Sequence, residues 1–254
     1  HMRMYDYLVP SVNFMGANSV SVVGERCKIL GGKKALIVTD KFLKDMEGGA
    51  VELTVKYLKK AGLDVVYYDG VEPNPKDVNV IEGLKIFKEE NCDMIVTVGG
   101  GSSHDCGKGI GIAATHEGDL YDYAGIETLV NPLPPIVAVN TTAGTASELT
   151  RHCVLTNTKK KIKFVIVSWR NLPLVSINDP MLMVKKPAGL TAATGMDALT
   201  HAIEAYVSKD ANPVTDASAI QAIKLISQNL RQAVALGENL KARENMAYAS
   251  LLAG

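Results

Sequence analysis

Residues 95–112, IVTVGGGSSHDCGKGIGI, constrain this chain more than any other stretch. β-Branched residues at Ile95, Val96 and Val98 read as a short buried strand, three consecutive glycines break it, and the run from Ser102 can enter a helix. Glycines let a backbone pass close to a ligand, and the first turn of a helix offers N–H groups to an anion. A phosphate or pyrophosphate suits such a turn. A Walker loop needs four residues before Gly-Lys and then Ser or Thr, whereas five separate Gly101 from Gly107, and Gly109 follows Lys108. The Rossmann spacing also fails, because Gly99 and Gly101 require a glycine where His104 stands, and Gly107 and Gly109 one where Ile112 stands. The motif alone leaves a nucleotide loop and a plain strand-to-helix turn both open.

The segments before it alternate. Helical periodicity over 20–30 stops at Gly31-Gly32, 35–39 is a strand ending on Asp40, and 49–61 is a helix. A strand at 65–68, a proline turn at 72–75, a helix over 78–91 and the strand at 94–98 follow. This order predicts an α/β fold with a parallel sheet covered by helices. A fourth strand, 136–139, runs into Asn140 and the hydroxyl-rich loop TTAGTAS over 141–147. Both loops leave carboxyl ends of strands, where open parallel sheets bind ligands, so the two are expected to face one ligand. The hydroxyls of Thr141, Thr142 and Thr145 suit phosphate or ribose; helix capping by Thr145 or Ser147 is the plainer alternative. Strands are expected at 163–168 and 174–177, as an antiparallel excursion and the last core strand. From Leu190 onward only helices are expected, over 190–207, 213–236 and 240 to the end. The predicted organisation is an α/β dinucleotide-binding domain over 3–182 and the first part of an all-helical domain over 183–254. His1 and Met2 read as a cloning remnant.

On the helix around 191–206, Asp197 and His201 stand four apart and share a face. A carboxylate and an imidazole at that spacing can grip one divalent metal such as ferrous iron or zinc; a surface hydrogen bond between them is the bland reading. The apolar surroundings, TAATGMDALTHAIEAY, suggest that the pair is buried.

Bulk properties narrow the partners. Among 254 residues, 47% hydrophobic, Lys plus Arg and Asp plus Glu number 27 each, so no overall field recruits nucleic acid or an anionic membrane. No apolar run approaches the roughly 18 residues of a membrane span, and no signal-peptide pattern is seen. Cys27, Cys92, Cys106 and Cys153 lack CxxC spacing, which fits reduced thiols in a cytoplasm.

Three segments in this order, GGGSSHDCGKGIG, NTTAGTASE and GMDALTHAIEAY, resemble those of the iron-containing (group III) alcohol dehydrogenases. The runs VEPNPKD, HEGDLYDYAGIE and VIVSWRNLP point to family members acting on 1,3-propanediol. The resemblance implies a reversible hydride transfer between NAD(H) and a short primary alcohol or diol and its aldehyde, such as 1,3-propanediol and 3-hydroxypropanal. It also implies a metal, Fe2+ by the family's habit with Zn2+ or another divalent ion possible, held by one Asp and three His. Asp197 and His201 match the first two ligands. His201 is the last histidine of the sequence, so a partial ligand set is expected. By the same resemblance, cofactor positions map onto Asp40, Asn74, Gly99, Gly100, Gly101, Ser102, Ser103, His104, Asp105, Thr141, Thr142, Thr145, Lys163 and the segment starting at Leu182. Asp40, at a strand end, would accept from the adenosine ribose and repel a 2′-phosphate, which favours NAD over NADP. His104 and His152 are read as a loop histidine near the cofactor and a structural histidine, with no catalytic role. A homo-oligomer is implied, with an unpaired sheet edge near the N-terminus as one place to assemble. The competing readings are a catalytically incomplete NAD-binding fragment and a related metal-dependent polyol dehydrogenase.

Overall fold

The computed structural model describes residues 7–10, 12–184 and 186–254, so His1 and Met2 lie outside the described residues. The chain opens on β1 (Val12–Met15), a 3-10 turn and α1 (Val23–Ile29), then β2 (Lys34–Val38), α2 (Lys41–Asp45), α3 (Ala50–Lys60) and β3 (Asp64–Tyr68). α4 (Asp77–Glu89), β4 (Met94–Gly99) and α5 (Gly101–Thr115) follow, and then β5 (Gly125–Ile126) and β6 (Ile136–Asn140). β7 (His152–Asn157), β8 (Ile162–Val167) and β9 (Val175–Asn178) complete the strands. The rest is helical: α6 (Ala188–Val207), α7 (Pro213–Ala235) and α8 (Leu240–Ala253). The expected α/β architecture followed by helices is what the chain adopts.

Six parallel strands form the main sheet in the order β1-β9-β6-β4-β2-β3. After β2 the chain steps outward to β3, then returns to β2's other side for β4, β6 and β9. That reversal opens a crevice between the carboxyl ends of β2 and β4. Period-two alternation divides the core between the two faces. Met94, Val96 and Val98 join Ala35, Ile37, Val137 and Ile177 on one face. On the other, Ile95 joins Leu36, Ile110 and Ile112 under α4 and α5. Gly107 brings α5 hard against β4: a Cβ there would collide with the Thr97 methyl.

Three features go beyond the sequence reading. β1 is a sheet-edge strand at the N-terminal side, β7 is a further strand, and the first helix begins as a 3-10 turn over Ser19–Val22. As expected, β9 is the last core strand, lying between β6 and β1, and β8 belongs to an antiparallel excursion, pairing with β7 in a separate small sheet. Among the described residues no helix is long and apolar enough to cross a membrane. The four cysteines are free and buried.

Candidate dinucleotide cleft and metal pair

A cleft of about 1060 Å³ opens where β2, β4 and β6 end. Its walls include Asp40, Asn74, Gly100, Gly101, Ser102, Ser103, Asp105, Thr142, Thr145 and Lys163 from the α/β part, and Leu190, Thr194, Asp197 and His201 from α6. Gly99 holds φ +151, and a Cβ there would strike the Ser103 hydroxyl. The turn can therefore reverse from strand to helix only with glycine. Gly100 occupies the N-cap of α5 and supplies no capping side chain, so the first-turn N–H groups open into the cleft. Across from them the hydroxyl loop packs close. A Cβ on Gly100 would lie 2.9 Å from the Thr142 methyl, and one on Gly101 2.6 Å from Thr145 Oγ1.

Asp40 caps α2, where its Oδ1 accepts from the Leu43 N–H at 2.8 Å. Asn74 sits in the left-handed region at φ 54, and its Oδ1 accepts from Lys163 Nζ at 2.6 Å, joining the 72–75 turn to β8. Thr145 Oγ1 accepts from the Ser147 N–H at 3.3 Å, a local turn bond, and the cap of the 3-10 turn that follows is Ala146. Four of the expected cofactor positions do not line the cleft. Thr141 is buried, its N–H donating to the Gly99 carbonyl at 2.9 Å, so it ties the two loops together. Gly99 shapes the turn from beneath, and Leu182 packs, partly buried, against the core cluster that includes Ile177. His104 is a buried residue of α5, not a loop histidine: its Nδ1 meets Thr97 Oγ1 at 2.7 Å, and burial lowers its pKa to about 3.

Beneath the cleft runs a polar network that the sequence did not disclose. Lys108, fully buried, donates from Nζ to the carbonyls of Ser147 (2.7 Å), Thr150 (2.9 Å) and His152 (2.8 Å), with Ser147 Oγ at 3.1 Å. Ser147 Oγ donates to Asp105 Oδ1 at 2.7 Å. Burial raises the Asp105 carboxyl to about 6 against the pull of the Lys108 ammonium. Burial likewise raises Glu148 to about 7, where Asn140 Nδ2 donates to its Oε1 at 3.0 Å. Asn140 also donates to Asn178 Oδ1 at 2.9 Å, which locks the end of β6 to β9.

The helical wall is different in kind. Asp197 Oδ1 and His201 Nε2 lie 3.6 Å apart, with side chains 43% and 42% exposed, so the pair is open to the cleft, not buried as its apolar surroundings suggest. The buried face of α6 is the small-residue stripe Thr191, Gly195, Ala198 and Ala202, whereas positions 196, 200 and 203 are exposed, which gives the physical reason: Asp197 and His201 lie off the face that packs into the core. His152 lies on the same cleft; burial and then the positive charges of Lys108, Arg151 and His201 disfavour its imidazolium.

Sequence comparison places these features. The iron-containing alcohol dehydrogenase model matches residues 10–180, and the model of that family's C-terminal region matches 191–254. The chain belongs to the iron-containing alcohol dehydrogenase family. It is 80% identical to the 1,3-propanediol dehydrogenase of Citrobacter freundii over 99% of its own length and 65% of the relative's. With the NAD-dependent methanol dehydrogenase of Bacillus methanolicus the identity is 51% over the same shares. A crystal structure of a 1,3-propanediol oxidoreductase superposes with a TM-score of 0.97 at 77% identity, covering 99% of this chain and 65% of that one. The chain thus spans about 65% of the length of the relatives it matches.

The residues fit the family's groups unequally. Two glycines stand where a Cβ would fill the space between the loops, and the open turn of α5 offers donors, so the α/β wall fits a dinucleotide. Asp197 and His201 supply one oxygen and one nitrogen suited to ferrous iron or zinc. Among the described residues no third His, Cys, Asp or Glu joins them, so they fit as part of a ligand set.

Proposed function

We propose that this chain carries the cofactor-binding part, and two metal ligands, of an NAD-dependent alcohol dehydrogenase acting on a short primary alcohol or diol, 1,3-propanediol foremost. The observation that carries this reading is the convergence of the open α5 N-terminus and the Asp197–His201 pair on one cleft. In this reading residues 3–182 form the dinucleotide-binding domain and 183–254 part of the helical one. The pyrophosphate meets the N–H groups of Gly101, Ser102 and Ser103 and the hydroxyls of Thr142 and Thr145. Asp40 takes the adenosine ribose and selects against a 2′-phosphate. Asn74 and Lys163 hold the cofactor from the rim. Asp197 and His201 bind Fe2+ or a similar ion, which supplies Lewis acidity toward an alcohol oxygen when bound, as NAD supplies the hydride acceptor. The cleft walls then orient the alcohol carbon toward the nicotinamide. Free thiols fit a cytoplasmic setting, and the exposed edge of β1 suits assembly into a homo-oligomer.

A second reading, a chain that binds NAD without turning over alcohol, is favoured by the absence of a third metal-binding side chain beside Asp197 and His201 among the described residues. Anaerobic loading with ferrous iron separates the two. Near-stoichiometric metal with NADH formation from 1,3-propanediol supports the dehydrogenase in this chain. NADH binding without retained metal or turnover supports the second reading.

A further inference from the structure

We propose that Lys108 is a positioning residue for the cofactor cleft, one cation that fastens the hydroxyl loop and β7 to the glycine-turn helix and thereby sets the place and charge of Asp105. The inference rests on the reading of the cleft as a dinucleotide site. An ammonium carries three protons, and three carbonyls, of Ser147, Thr150 and His152, stand within 2.9 Å of Nζ. All three residues line the cleft, yet Lys108 itself is 0% exposed and cannot touch a ligand there. Ser147 Oγ accepts from the same ammonium at 3.1 Å and donates its own proton to Asp105 Oδ1, 2.7 Å away. Burial strips the ammonium of water and disfavours its charged form, and the three carbonyls take the place of that water, so the cage and the charge are mutually required. The result is a single wall built from α5, the loop after β6 and the start of β7. Asp105 looks out from that wall.

The groups that face Asp105 are Lys108 and Cys106 on its own helix, Cys153 on β7, the Ser147 hydroxyl from the loop and the Val154 N–H. Of these only Lys108 carries a positive charge, so it alone holds the carboxyl down by charge against burial. Removing that charge moves the Asp105 midpoint upward, whichever protonation state the cofactor prefers. A purely architectural lysine would leave the pH dependence of binding where it was.

The test is NADH binding, followed by fluorescence from pH 5 to 9, for the parent chain, Lys108→Met and Ser147→Ala. Lys108→Met is expected to weaken NADH at least tenfold and to shift the pH midpoint of affinity upward. Ser147→Ala keeps the three carbonyl bonds and is expected to give a smaller loss, severalfold, with a shift in the same direction. A folded Lys108→Met with parental affinity and midpoint overturns the inference. If that variant does not fold, Ser147→Ala decides, and an unchanged profile in it overturns the inference equally. Failure of the parent to bind NADH overturns the dinucleotide reading and this inference with it, whereas a binding parent with unaltered variants overturns this inference alone.

Discussion

The two walls of the cleft solve the same problem in opposite ways. On the α/β side, the hydroxyl loop and the Lys108 cage are held to their neighbours by bonds of 2.6–3.3 Å, which leaves the open first turn of α5 to face the cleft. On the α6 side, Asp197 and His201 stand 3.6 Å apart on a half-exposed helix face, with no third metal-binding side chain among the described residues. A site fixed by buried hydrogen bonds is preorganised, and its affinity depends on shape as much as on charge. A pair of exposed donors depends on what else joins it. On the proposed reading, dinucleotide recognition is built into this stretch of chain, while metal chemistry is only half specified by it.

The largest expected effect comes from filling the cradle. Gly101→Val would drive a side chain into Thr145 Oγ1, 2.6 Å from the Cβ position, and NADH affinity should fall on the order of 100-fold or more, about 3 kcal/mol, by fluorescence titration. Parental affinity in that variant would break the preorganised side of the comparison. Asp40→Ala should weaken NADH about tenfold and narrow its advantage over NADPH, since on the proposed reading the carboxylate both binds ribose and repels the 2′-phosphate. An unchanged preference would move cofactor selection elsewhere.

A third prediction probes the buried charges. Glu148 is raised by burial to about 7 from an ordinary 4.5, so the folded state binds its proton more tightly than the unfolded chain does. Folding stability from this group is therefore fully present below pH 4.5 and is lost as pH rises to 7. Glu148→Gln keeps an oxygen for Asn140 and removes the titration, so its melting temperature should gain on the parent as pH rises from 4.5 to about 8. A gap constant with pH would contradict the assignment. The smallest effect on the fold is expected from Asp197→Ala, because the side chain is half exposed: metal affinity should drop about tenfold in equilibrium dialysis, while stability moves by roughly 0.5 kcal/mol or less. A large stability loss would mean that the helical wall is as firmly fastened as the other.

How legible each wall was in the sequence follows from the same physics. A strand broken by three glycines and a carboxylate four residues before an imidazole are local patterns, and local geometry decides what they can do. The parallel sheet was equally legible, because β-branched runs and helical periods alternate. Lys108 was invisible: in the motif it looked like a misplaced Walker lysine, and its partners are backbone carbonyls 39, 42 and 44 residues away, which no side-chain pattern encodes. The burial of His104 was hidden because the partner of its ring is Thr97, in the strand before the turn. β7 carried a signal in its alternating burial, with Cys153 and Leu155 inward and His152 and Val154 outward, but its polar flanks masked it. The exposure of Asp197 and His201 could not be read, because an apolar helix face looks alike whether it meets a core or an open cleft.

On the proposed reading, the open turn of α5 and its facing loop form a cleft selective for NAD. Equilibrium titration of the 254-residue chain with NADH and, separately, NADPH tests it most directly. Saturable NADH binding with NADPH at least tenfold weaker is the predicted result. No saturable binding, or equal affinity for the two, would contradict it.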